Sequence, residues 1–131
     1  MTKQEMVNHW LKQSDLDAES MEYLFKGEKY YWSLFIGHLV IEKLMKALFV
    51  KTHSKDTPVP KIHNLFELAK RNNLNLTQEL ADKLDTITGF NIEARYQNEK
   101  LDFYKTCTKE YAVKWMKEIK GLRIWLKSQI L

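Results

Sequence analysis

Apolar residues recur along most of this chain with the spacing of α-helices. In residues 3–26, apolar and small side chains follow alternating steps of four and three: Val7, Leu11, Ser14, Ala18, Met21 and Phe25. This spacing is typical of a helix that packs in a bundle. Gly27 follows and is expected to end the helix. The pattern therefore predicts a first helix over Lys3 to Lys26.

The second helical segment, Lys29 to Lys51, is apolar around nearly its whole circumference. One face carries Tyr30, Leu34, Ile41, Met45 and Leu48, and the other sides carry Trp32, Ile36, Leu39, Val40, Ala47 and Val50. A helix of this kind must be covered on several sides. Since a chain of 131 residues offers little cover, a second subunit is expected, and closed two-fold dimers are the commonest oligomers. The pattern predicts a homodimer.

The second half of the chain alternates loops and shorter helices. Thr52 to Lys61 contains both prolines and is predicted to be a loop, and a short helix is expected over Asn64 to Arg71. Thr77 is a suitable N-cap for a helix that Gly89 would close. The last helix is expected over Lys109 to Ile130. The sum is an all-α, up-and-down four-helix bundle with an additional short helix, forming a single domain over residues 1–131.

One long segment, Gly89 to Thr108, shows the residue spacing of neither a helix nor a strand and is predicted to be an irregular connection. Long connections without secondary structure are uncommon in compact domains and are usually functional or disordered. This one contains Arg95, Tyr96 and Cys107, the single cysteine of the chain. It is therefore the first place to look for a binding site.

Composition narrows the function classes. The formal net charge is +4, and the last helix contributes all of it. A basic helix can attract phosphate, although a solvated face explains the same charges. The lone cysteine and the lack of a long apolar run predict a cytoplasmic protein without a membrane segment. The chain has no recognisable metal-ligand spacing and no glycine-rich phosphate loop, so no metal and no cofactor are expected.

Several polar residues interrupt the apolar second helix. His38, Glu42 and Lys46 are four residues apart and form one stripe, in which Glu42 and Lys46 are placed to form an ion pair. Lys43 lies on a different side. The stripe is explained either by an internal ion pair with a hydrogen-bonded histidine or by the border of a cleft. His63, at the start of the short helix, is either a capping residue or a ligand-binding one.

Arg95 is the strongest candidate for binding. A guanidinium has a planar fork that suits bidentate contact with phosphate or carboxylate. Its polar surroundings favour an exposed position, and a salt bridge to Glu93 or Glu99 is the alternative.

Three segments resemble the HEPN family of small helical-bundle proteins. Tyr30-Tyr31-Trp32 leading into Ile41-Glu42-Lys43-Leu44-Met45-Lys46-Ala47-Leu48 is similar to the family's Glu-Lys-x-x-Lys-Ala helix. Lys61-Ile62-His63-Asn64-Leu65 resembles its His-Asp/Asn-Leu segment, and Glu93-Ala94-Arg95-Tyr96 resembles its Arg-Tyr motif. Their order and spacing extend the resemblance over nearly the whole chain.

The resemblance implies a dimeric bundle, often encoded beside a small nucleotidyltransferase and sometimes part of a toxin–antitoxin pair. It also implies nucleotide binding, with Arg95, Tyr96, Glu42, Lys43, Lys46 and His63 as candidate residues for the nucleotide or the partner. The ribonuclease branch places a histidine four to six residues after its arginine. Glu99, Lys100 and Leu101 stand there in this chain.

The missing histidine favours binding over catalysis, because no neighbouring imidazole is available as acid or base. The leading hypothesis is a non-catalytic module for a nucleotide or a nucleotidyltransferase. The alternative is a ribonuclease acting on RNA with Arg95 and a base from elsewhere, such as His38, His63 or Tyr104. A scaffold whose loop is only a connector is the third hypothesis.

Overall fold

The protein is all-α. A computed structural model of the chain describes the backbone of residues 1–131 and the side chains of residues 1–96 and 100–131. Its six helices, with no strand in the described backbone, are α1 (Lys3–Lys26), α2 (Tyr30–Thr52), α3 (Leu65–Arg71), α4 (Gln78–Arg95), α5 (Gln97–Thr106) and α6 (Lys109–Ile130). The predicted fold class is confirmed, and the bounds of the first and last helices agree with those expected from the sequence.

Side-chain caps fix where most of these helices begin. Thr2 accepts a hydrogen bond from the backbone N–H of Glu5, whose side chain in turn accepts one from Thr2, so α1 starts with a reciprocal capping box. Thr77 caps α4, as the sequence predicted, and Thr108 caps α6 in the same way. These polar residues satisfy backbone donors that an unpaired helix start would leave free.

The turn between α1 and α2 differs from the expectation for Gly27. Gly27 does follow the last residue of α1, but its φ is −82°, whereas the next residue, Glu28, has a φ of 61°. The backbone N–H of Lys29 closes the turn on the carbonyl of Leu24 at 2.9 Å. A glutamate therefore holds the left-handed conformation that usually favours glycine.

The core is organised around α2, which contacts α1, α3, α4, α5 and α6. Ile41, Leu44 and Ala47 have no exposed surface. Two serines hold α1 and α2 together, since Ser14 Oγ donates to the Val40 carbonyl and Ser33 Oγ donates to the Met21 carbonyl. Helices of the same chain bury most of α2, although Trp32, Ile36 and Leu39 stay partly exposed. The burial of α2 therefore does not by itself require a second subunit. The homodimer itself stays a prediction.

The prediction of an irregular segment over Gly89 to Thr108 is wrong. Gly89 lies inside α4, which continues to Arg95, and α5 follows after a break at Tyr96. The helix continues because its buried stripe does: Leu84, Ile87, Asn91 and Ala94 are spaced three, four and three apart. α5 then packs against the core through Phe103, which stacks on Phe90 with ring centroids 5.5 Å apart. The chain thus forms five helices longer than α3 rather than four.

No helix in the described part of the chain combines the length and the apolar character that crossing a bilayer requires.

Candidate functional site

A buried carboxylate lies at the centre of the candidate site. Glu42, on α2, is 4 % exposed. One of its oxygens accepts a hydrogen bond from Lys46 Nζ at 3.1 Å, and the other accepts one from His63 Nδ1 at 2.8 Å. The i,i+4 spacing places the lysine on the same face of the helix, and the loop before α3 brings the histidine over it. A buried charge needs partners of this kind to offset its lost hydration.

His38 connects this carboxylate to α4. Its Nε2 is 2.8 Å from the His63 carbonyl, which can only accept, so Nε2 carries the proton. Its Nδ1 is 3.2 Å from the Asn91 side-chain amide, which donates to it. Burial lowers the pKa of His38, and the nearby positive charge of Arg95 adds to this effect, against the raising influence of the His63 carbonyl and of Glu42. His38 is therefore a neutral imidazole with one donor and one acceptor, both used.

Arg95 lies at the surface, at the last residue of α4. Its Nε donates to the Asn91 carbonyl one turn earlier at 3.3 Å, which anchors the base of the guanidinium. The guanidinium carbon is 5.8 Å from the ring centroid of Tyr96, itself 55 % exposed. The arginine is thus oriented by its own helix at an exposed position. The side chain of Glu99, one of its two expected salt-bridge partners, lies outside the described residues.

Of the two predicted lysines, Lys46 is buried beside Glu42 and Lys43 lies away from it. Lys46 is 7 % exposed, and besides Glu42 its ammonium lies 5.6 Å from the ring centroid of Trp10. The stripe therefore contains the predicted ion pair, but its lysine is covered. Lys43 projects towards α1, where its Nζ is 2.5 Å from an oxygen of Asp17. It does not join the cluster around Glu42.

Asn91 is the residue that the sequence reasoning missed. It is 5 % exposed and joins the two halves of the site. Its side-chain Nδ2 contacts His38, and its backbone carbonyl accepts the hydrogen bond from Arg95. A signal was present in the sequence. Asn91 is the one polar member of the apolar stripe of α4, and a polar residue at a buried position must have a partner. Assigning Gly89 as the end of the helix hid it.

The chemistry open to the site is limited. His63 has a side chain 61 % exposed, and since Nδ1 donates to Glu42, Nε2 is its free acceptor. Among the described residues, no three metal-binding side chains are gathered to hold an ion. Cys107 is buried, and burial raises the pKa of its thiol to about 12, which disfavours the reactive thiolate. An exposed arginine and an oriented imidazole are the groups that a ligand can reach.

Comparison with known proteins agrees with this arrangement of helices and motifs. The family model described as HEPN domain matches residues 7–129. No curated protein and no solved structure matches the chain. The match covers nearly all of the sequence, including α2, His63 and Arg95. The chain therefore belongs to the HEPN domain family.

Proposed function

We propose that this HEPN chain is a non-catalytic, homodimeric binding module, in which Arg95 and Tyr96 engage a nucleotide, or a small nucleotidyltransferase partner in a toxin–antitoxin-like setting. The observation that carries the proposal is the Arg95 guanidinium, which is exposed at its tip and anchored at its base by the Asn91 carbonyl. An arginine held in this way loses little side-chain freedom when it meets phosphate.

The charges behind Arg95 support an anionic ligand. His38 is a neutral imidazole, so it adds no positive charge, and the Glu42 carboxylate is neutralised by Lys46 at 3.1 Å. Arg95 is therefore the exposed cation of this site, whereas Lys46 is buried against Glu42. The ring of Tyr96 beside it offers a flat apolar surface to a base or a partner side chain.

The described residues at the positions of the family's histidine support binding without catalysis. Of the positions where the ribonuclease branch has its histidine, Lys100 lies over the Trp32 ring and Leu101 is 69 % exposed. Neither is a general base at neutral pH. The charge of Arg95 helps to lower the pKa of His38, so this imidazole is another possible base. Both of its ring nitrogens, however, are already hydrogen-bonded.

The homodimer rests on a different surface from the one expected. Most of α2 is buried within the chain, and α6 offers a more exposed apolar face for association. Val113 and Ile124 are 48 % and 72 % exposed there and border an apolar groove of about 620 Å³ with Phe25. Exposed apolar surface of this kind often marks a contact with another chain.

Isothermal titration calorimetry of the purified chain with ATP and GTP tests the proposal, with Arg95→Ala as the variant and Arg71→Ala as the matched control. Arg71 is also an exposed arginine at the end of a helix, α3, and it takes no part in the described contacts around Glu42. We expect Arg95→Ala to weaken binding by tenfold or more, because it removes a charge-assisted contact. Equal binding by the two variants, or none by the wild type, would contradict nucleotide binding. A small nucleotidyltransferase encoded beside this chain is the first partner to test in the same way.

A second candidate function is RNA cleavage, and the contact between Glu42 and His63 favours it. A carboxylate at Nδ1 orients the imidazole and leaves Nε2 to take a proton, as in other acid–base pairs. Incubation of the protein with total cellular RNA decides between the two functions. Cleavage that is lost in both His63→Gln and Arg95→Ala would replace the binding proposal, whereas intact RNA at high protein concentration would exclude this candidate.

A further inference from the structure

We infer that a single-stranded nucleic acid binds along α5, on a strip of aromatic side chains that begins next to Arg95. This aromatic strip consists of Tyr31 and Trp32 on α2 with Lys100 and Tyr104 on α5. The inference deepens the proposed function, because it gives the ligand at Arg95 a length and a chemical class. It rests on contacts that no motif of the sequence indicated.

The rings of the aromatic strip lie close to one another at the surface. The ring centroids of Tyr31 and Trp32 are 5.1 Å apart, and those of Tyr31 and Tyr104 are 5.7 Å apart. Tyr104 is 62 % exposed, and the two residues of α2 are half-buried. Rings in a fully packed core would not be open in this way. The strip therefore offers aromatic faces on which bases can stack.

The strip is continuous with the Arg95 site. Asn91 links Arg95 to His38, while Lys100 lies over Trp32 and Tyr104 meets Tyr31. Thus α5 follows α2 in the reverse direction, and a ligand that leaves Arg95 passes first Lys100 and then Tyr104. The ten residues of α5 span about 15 Å at the rise of an α-helix. That length exceeds a mononucleotide and suits a short strand.

Lys100 is placed to move between two partners. Its ammonium is 4.9 Å from the ring centroid of Trp32 and 5.9 Å from that of Tyr31. A base that stacks on Trp32 competes with the ammonium for the same ring face. The displaced ammonium would then be available to the adjoining phosphate.

A pocket at the far end continues the surface. It has a volume of about 380 Å³, and its lining combines three tyrosines with one base and one acid: Tyr30, Tyr31, Tyr104, Lys105 and Glu28, with Cys107 and Thr108. Aromatic rings with a lysine at its edge repeat the combination found at Trp32 and Lys100. Unpaired bases can use such faces, whereas bases stacked inside a duplex cannot, so a single strand is the form that fits.

Fluorescence anisotropy with a labelled oligouridylate of about six nucleotides, a length within the range of single-strand sites, tests the strip on the full chain. We expect the oligonucleotide to bind more tightly than UMP and than an RNA duplex. Trp32→Leu should weaken its binding about tenfold, because one stacked base is lost. Lys100→Gln should reduce the slope of log affinity against log salt by about 0.7, the value for one phosphate contact on a single strand.

The matched controls are Trp125→Leu, a half-buried tryptophan on α6, and Lys12→Gln, an exposed lysine on α1. Both should bind the oligonucleotide as the wild type does. Tyr104→Leu is the second test variant, since an exposed tyrosine is not needed for folding, and it should lose affinity several-fold. Binding of UMP or of the duplex as tight as that of the oligonucleotide would overturn the strip. So would wild-type affinity in all three test variants, Trp32→Leu, Lys100→Gln and Tyr104→Leu.

Arg95→Ala separates this inference from the proposed function. If Arg95→Ala still binds ATP while Trp32→Leu and Tyr104→Leu lose the oligonucleotide, the proposed role of Arg95 fails and the strip stands. If Arg95→Ala loses ATP while the strip variants bind the oligonucleotide normally, the strip alone fails.

Discussion

The charged residues of the candidate site occupy opposite environments, one pair buried on α2 and one arginine exposed at the end of α4. On α2, Glu42 and Lys46 are 4 % and 7 % exposed and satisfy each other. At the end of α4, Arg95 is exposed, and its Nε donates to the backbone carbonyl of Asn91. The comparison teaches that charge in a predicted site has two uses. The pair on α2 belongs to the fold, because breaking it leaves an unpaired charge inside, and the arginine remains free for a ligand.

The largest expected effect comes from breaking the buried pair. Glu42→Leu leaves the Lys46 ammonium buried without its carboxylate, which should lower the free energy of unfolding by about 3–5 kcal/mol. Urea denaturation measures this loss. The double variant Glu42→Leu/Lys46→Met should recover much of it, because two apolar side chains leave no unpaired charge.

Glu79→Gln is the control for that prediction. Glu79 pairs with Lys83 at 3.3 Å, but its side chain is 81 % exposed. An exposed ion pair of this kind contributes about 0–1 kcal/mol. A loss of similar size in Glu42→Leu and Glu79→Gln would show that burial does not distinguish the two pairs.

Two glycines allow the tightness of packing around α2 and around α4 to be compared. A Cβ at Gly37, on α2, would lie 2.6 Å from Ile119 Cδ1 and 3.2 Å from Met21 Sδ, whereas at Gly89, on α4, the nearest atom would be 3.7 Å away. Gly37→Ala should therefore cost about 1–3 kcal/mol, and Gly89→Ala should stabilise by about 0.5–1 kcal/mol. Thermal unfolding of both variants checks the opposite signs.

A stabilising Gly37→Ala would mean that Ile119 and Met21 move aside easily, and that α2 is less tightly held than α4. A destabilising Gly89→Ala would mean that α4 does not continue through Gly89.

The smallest expected effect is the pH dependence that His38 imposes. Burial lowers the pKa of this imidazole in the folded state below its ordinary value of 6.5. The unfolded chain therefore binds the proton more readily, and stability falls as the pH drops from about 6.5 towards the folded pKa. Above pH 6.5 the contribution is fully present.

The free energy of unfolding, measured between pH 7.5 and pH 5, should decrease less in His38→Gln than in the wild type. His9→Gln, at an exposed position on α1, is the control and should keep the wild-type slope. Equal slopes in all three proteins would remove His38 as a source of the pH dependence.

The local parts of the fold were available from the sequence because they depend on spacing along one helix. The bounds of α1 and α6, the cap Thr77 and the contact of Glu42 with Lys46 follow from neighbours one turn apart. The end of α4 was misplaced because the prediction used only the local signal of a glycine. Gly89 is a frequent helix terminator, but Phe90 and Ala94 pack in the core and keep the helix going.

The sequence by itself therefore determined the all-α class, the three motifs that resemble the HEPN family, and the candidates Arg95, Glu42 and His63. Only the tertiary structure decided their roles. The contact of His63 with Glu42 joins residues 21 apart, and that of Asn91 with His38 joins residues 53 apart. Periodicity assigns a side chain to a face of its helix, but the packing of α2 against α4 decides which faces meet. It is that packing which covers Lys46 and leaves Arg95 open.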